Sequence, residues 1–85
     1  MSNLSTERAR TIVIDAVSAV APDIADELET LDPEVDLWDA LGLDSMDHLN
    51  VMTELARQTG VEIPERDYGK LRGIRSLSEH LAATG

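Results

Sequence analysis

The chain has 85 residues, with seventeen acids against seven bases and a net charge of −10. A chain this short buries roughly 60–65% of its extended surface, which allows one modest core and no second one. Such acidity removes DNA, RNA and anionic lipid as favourable partners, because the dominant electrostatic term would be repulsive. Cysteine is absent, which excludes a disulfide scaffold, thiolate zinc sites and thiol catalysis. The only aromatic residues are Trp38 and Tyr68, so the core must be aliphatic. No basic cluster marks the N-terminus, and the apolar run 12–21 is interrupted by Asp15 and too short to span a membrane. A soluble, cytoplasmic single domain covering 1–85 is expected, and Met1 with compact ends favours a free-standing chain.

The first segment, about 5–20, reads as a helix. Ala9, Ile12, Val13, Ala16, Val17 and Val20 recur at the spacing of one helical face, Ser5 or Thr6 can cap it, and Ile14 lies off the stripe. Pro22 ends this helix or starts the next piece. Residues 23–28 are long enough for one or two helical turns, with Ile24, Leu28 and Leu31 inward and Pro33 closing the segment. Val35, Leu37, Trp38, Leu41 and Leu43 then fasten a long loop onto the core, and Gly42 takes a backbone conformation other residues resist.

A second helix begins at Asp44-Ser45, with Asp44 as N-cap and Asp47 three positions on in an acidic variant of the capping box. Val51, Met52, Leu55 and Thr59 share one face of it; Met46, Leu49 and Thr53 share another. Gly60 stops it. A short third helix is expected over about 65–71, where Gly69 weakens helix propensity. The last helix is expected to begin near Ser76, from the capping-box spacing of Ser76 and Glu79, with Leu77 and Leu81 on the core. No hairpin signal or repeat is present. The fold class is therefore all-α: a small antiparallel bundle of three main helices plus one short helix, with a long first loop.

Charge is unevenly placed. Residues 11–56 contain no Lys or Arg but hold twelve acids, whereas Arg57, Arg66, Lys70, Arg72 and Arg75 follow. The acidic half is either a solvated loop region or a docking face for basic partners.

Familiar catalytic and metal sites do not fit. The stretch Asp32-Pro33-Glu34-Val35-Asp36 resembles the start of a calcium loop, but Leu37 stands where glycine is needed and Leu43 where a bidentate Glu is needed. His48 and His80 are far apart in sequence, so no metal site is expected. Ser45, His48 and Asp47 or Asp44 have the residue types of a hydrolytic triad, yet lie within one helical turn without a Gly-rich elbow or oxyanion scaffold. No catalytic residue is assigned. Ser45 still stands out as a hydroxyl at the amino end of a helix, where free N–H groups and the helix dipole favour a phosphate.

Asp39-Ala40-Leu41-Gly42-Leu43-Asp44-Ser45-Met46-Asp47 resembles the phosphopantetheine-attachment motif of acyl carrier proteins: Leu-Gly, any residue, Asp-Ser, then Leu or Met. Gly60-Val61-Glu62-Ile63-Pro64 is similar to that family's turn after helix two, and Lys70-Leu71 and Ile74 fall at its spacing without a gap. The resemblance runs from about Val35 to Leu81.

It implies that Ser45 takes a covalent 4′-phosphopantetheine arm from coenzyme A through a separate phosphopantetheinyl transferase. The arm's thiol then holds acyl groups as thioesters, and partner enzymes supply the chemistry. Asp44, Met46, Asp47 and Leu49 match the family's docking face for basic patches on a loading enzyme and on downstream synthases or transferases. His48 and Glu54 are read as additional solvated polar surface. Asn50, Thr53 and Ala56-Arg57 depart from the family pattern, making the far half of that helix less acidic and pointing away from a central housekeeping carrier. The resemblance favours a monomeric carrier in fatty-acid, polyketide or specialised acyl biosynthesis. Two other readings remain: an aminoacyl or D-alanyl carrier loaded by an adenylating enzyme, and an unmodified carrier-like adaptor.

Overall fold

A computed structural model describes residues 5–84. Its first helix, α1 (Thr6–Val20), starts where Ser5 Oγ accepts a hydrogen bond from the Arg8 N–H at 3.1 Å. The expected stripe packs inward: Ala9, Val13, Ala16 and Val17 are fully buried, and Ile12 and Val20 are partly buried against them. Ile14, off the stripe, also packs on the edge of the core.

After a 3-10 turn (Pro22–Ile24), α2 (Ala25–Thr30) buries Leu28 and leaves Ile24 and Leu31 partly buried. The following connection contains an element that hydrophobic spacing does not announce: the single turn α3 (Leu37–Ala40), capped by the Asp36 carboxylate on the Asp39 N–H. Leu37 and Trp38 are buried in this turn.

The second long helix, α4 (Ser45–Thr59), is as expected in extent, and Gly60 ends it with φ at +73°. Val51, Met52 and Leu55 are buried and Thr59 is half-buried, whereas Met46, Leu49 and Thr53 face solvent. The piece expected as a short helix over 65–71 is a 3-10 helix (Glu65–Lys70).

The last helix, α5 (Ile74–Thr84), begins two residues before Ser76 and corrects the expected start. Gly73 is the actual cap: its carbonyl accepts from the Leu77 N–H at 3.0 Å, while Ser76 Oγ accepts from the Gly73 N–H at 3.1 Å. Ser76 is thus the returning arm of a cap rather than the cap itself. Leu77 and Leu81 are fully buried.

The α1 helix packs chiefly on α5 and α4, which makes the three long helices one bundle; its core is not wholly aliphatic as expected, because α3 buries Trp38 among the aliphatic side chains. The long connection is tied to the base of α5 by backbone bonds: Leu37 N–H donates to Arg72 O at 2.6 Å and Arg75 N–H to Pro33 O at 3.0 Å. Ion pairs Arg72–Asp36 and Arg75–Glu34 join the same two segments. Among the described residues no helix is long and apolar enough to cross a membrane.

Candidate functional site

The approach to Ser45 is built from one tight turn. The Leu41 N–H donates to Leu37 O at 3.1 Å and the Gly42 N–H to Asp39 O at 3.3 Å, which closes α3. Gly42 then adopts φ +67°, a left-handed conformation that a β-carbon disfavours, and redirects the chain. The Leu43 N–H returns to Trp38 O at 2.9 Å. Asp44 is extended, and its Oδ1 accepts from the Asp47 N–H at 2.9 Å.

Ser45 follows as the exposed first residue of α4. Because Asp44 supplies the cap, the Ser45 hydroxyl is not needed to complete the helix. The Asp47 N–H is taken by Asp44, and the His48 N–H donates to Asp44 O at 3.0 Å. The N–H groups of Ser45 and Met46, ahead of the first helical acceptor, remain to face a ligand at the positive end of the dipole. A phosphate ester on Ser45 Oγ fits that setting, with Asp44 and Asp47 as the nearby opposing charges.

The candidate docking residues also lie at this end. Asp44 is exposed and Asp47 half-buried, while Met46 and Leu49 are the exposed large apolar side chains among the described residues, at 63% and 48%. Two such residues one turn apart on a helix give a small apolar patch beside the acidic cap.

The expectation for His48 is corrected. Instead of being solvated surface, its ring is half-buried between Trp38, at a centroid distance of 4.1 Å, and Tyr68, at 5.1 Å. Its Nε2 is buried without a hydrogen-bond partner, as is Trp38 Nε1. Burial lowers the His48 pKa from its ordinary value; Arg72 lowers it further and Asp36 acts in the opposite sense. His48 is therefore placed to pack, not to activate Ser45, and no Ser-His-Asp relay forms. Sequence spacing missed this cluster because Trp38 and Tyr68 come from segments with no hydrophobic period.

Glu54, the other residue read as solvated surface, is engaged within α4. Arg57 holds it through two guanidinium nitrogens, and Gln58 Nε2 donates to it at 2.8 Å. The Arg57 hydrogen bond brings the Glu54 pKa down to about 2. The far half of α4 thus presents a neutralised pair, while Asp47 and the capping Asp44 at its start have no ion pair among the described residues.

Ser45 is thus an exposed hydroxyl at the head of a capped helix in a small helical bundle. The chain matches the phosphopantetheine attachment site family over residues 13–81. It is 29% identical over 69 residues to an acyl carrier protein of Syntrophobacter fumaroxidans, covering 81% of this chain and 85% of that one. It is 28% identical over 68 residues to an acyl carrier protein of Streptomyces coelicolor, covering 80% and 72%. Among solved structures there is no significant match. The chain belongs to the acyl carrier protein family, and its cofactor is a covalently attached 4′-phosphopantetheine. Proteins of this family are non-catalytic carriers that work with partner enzymes and need a transferase for activation.

Proposed function

We propose that Ser45 receives the 4′-phosphopantetheine arm and that this single, monomeric, cytoplasmic domain carries acyl groups as thioesters between partner enzymes of fatty-acid, polyketide or specialised acyl biosynthesis. The observation that carries this reading is the exposed Ser45 hydroxyl at the first position of α4, with the cap supplied by Asp44. The arm supplies a reactive thiol on a long tether, which the protein itself lacks. The chain's own residues hold the hydroxyl in place, set N–H donors beside the phosphate and give partners a surface to read. Asp44, Asp47, Met46 and Leu49 form that surface, charge steering the encounter and the apolar pair fixing the contact.

Incubation with coenzyme A and a broad-specificity phosphopantetheinyl transferase should add the mass of one phosphopantetheine to the intact chain. No gain with several transferases would contradict the reading and favour an unmodified adaptor.

Docking through the acidic cap predicts that modification slows as salt rises, since exposed charges are screened beyond roughly 8–10 Å at ordinary ionic strength. Asp44→Asn is the informative variant, because asparagine caps a helix about as well as aspartate. Its helix should persist while modification slows several-fold at low salt. A rate independent of salt and of this substitution would instead assign docking to Met46 and Leu49 alone.

A further inference from the structure

Trp38 and His48 close a loop around Ser45 at two levels. The Trp38 carbonyl accepts from the Leu43 N–H at 2.9 Å, on the entering side of the serine. The Trp38 ring stacks on His48, one helical turn beyond the serine on the leaving side. Tyr68, from the 3-10 helix, covers the other side of the His48 ring. The turn that presents Ser45 therefore has its ends stapled by a single imidazole between two aromatic faces.

We propose that His48 is the positioning residue of the Ser45 turn: as a neutral ring clamped between Trp38 and Tyr68 it closes the loop that presents the serine, and on protonation it releases that loop. A neutral imidazole has one N–H and one lone pair, whereas an imidazolium must donate from both nitrogens. The buried Nε2 has no acceptor, so the second N–H would be formed in a place that offers it nothing.

The surrounding charges divide. Asp36, the cap of α3, favours the cation; Arg72, in the link to α5, opposes it, and the two are bonded to each other. On the 3-10 helix Asp67 pairs with Lys70. On α4 itself, Asp44 and Asp47 lie at the helix start. Desolvation of the ring is the largest influence and outweighs Asp36, while the two aromatic faces would also attract a cation.

The sign of the pH dependence follows. The folded pKa is lowered, so the clamp is complete above the ordinary value of 6.5 and is lost as pH falls through the folded value. Each unit by which the midpoint lies below 6.5 corresponds to about tenfold in the equilibrium between closed and open turn.

Trp38 is the sole tryptophan, so its emission reads the stack directly. On the unmodified chain, emission and the corrected exchange protection of the Leu43 amide are followed from pH 7.5 to 5. Both should change together, with a midpoint below 6.5, in the wild type. His48→Phe, which keeps a stacking ring, and the smaller His48→Leu should both remove that transition. A wild type with no change, a midpoint above 6.5, or the same transition in both variants would overturn the proposal.

The functional half of the inference rests on Ser45 being the modified residue. Under one transferase, the wild-type rate divided by the His48→Phe rate should fall severalfold from pH 7.5 to 5.5; a constant ratio would overturn that half. The emission and exchange readouts do not depend on modification. A mass gain persisting in Ser45→Ala would therefore refute the attachment reading while leaving the clamp itself intact.

Discussion

Leu55→Ala is expected to destabilise the domain by about 2–5 kcal/mol, the range for deleting a fully buried leucine side chain. Leu55 has no exposed surface and lies on the inward face of α4 with Val51 and Met52, where α4 meets α1. Small domains have limited reserve, since total stabilities of about 5–15 kcal/mol are typical. Each kcal/mol is worth roughly 4–8 °C in Tm at this size, so the variant should melt far below the wild type or be partly unfolded at room temperature. Urea unfolding with an unchanged slope and a much lower midpoint is the expected result. A loss below about 1 kcal/mol would mean that α4 is not anchored by this face.

Gly73→Ala is expected to cost about 1–3 kcal/mol through overpacking. A β-carbon there would lie 3.0 Å from both Pro33 O and Val35 O, tighter than ordinary van der Waals contact. Neither neighbour is free to retreat. Pro33 O is bonded to the Arg75 N–H, and the Leu37 N–H two residues after Val35 is bonded to Arg72 O. The cost is steric, as Gly73 is not among the positive-φ glycines. Gly69→Ala is the control: nothing lies within 4 Å of its added β-carbon, so it should be neutral or stabilising by a few tenths of a kcal/mol. Equal thermal shifts in the two variants would contradict the close approach of the long connection to α5.

The parts of this structure legible in the sequence are those fixed locally. Asp44 and Gly60 bracket α4 because a cap acceptor and a left-handed stop act on their immediate neighbours. The buried face of α1 follows from helical periodicity alone. By contrast, α3 is four residues long and is held by the Leu37–Arg72 backbone bond, a tertiary contact between segments distant in sequence. The start of α5 misleads because a serine three positions inside a helix and a serine at its cap have the same local pattern. Gly73 stands at the cap, in a place where a β-carbon would press against the backbone at Pro33 and Val35. His48 reads as surface on α4, and only the arrival of Trp38 and Tyr68 from irregular segments buries it. The motif around Ser45 is legible by resemblance; the division of labour between the capping Asp44 and the exposed hydroxyl is set by the folded turn.

The decisive measurement is proteolytic mapping of the modified chain alongside intact mass of Ser45→Ala. The substitution is at an exposed first helical residue whose cap is its neighbour, so stability should change by no more than about 0.5 kcal/mol. The wild type should carry phosphopantetheine on the peptide containing Ser45, and folded Ser45→Ala should gain no mass under the same conditions. A gain of one phosphopantetheine in Ser45→Ala, mapped to any other residue, would contradict the assignment of the head of α4 as the attachment site.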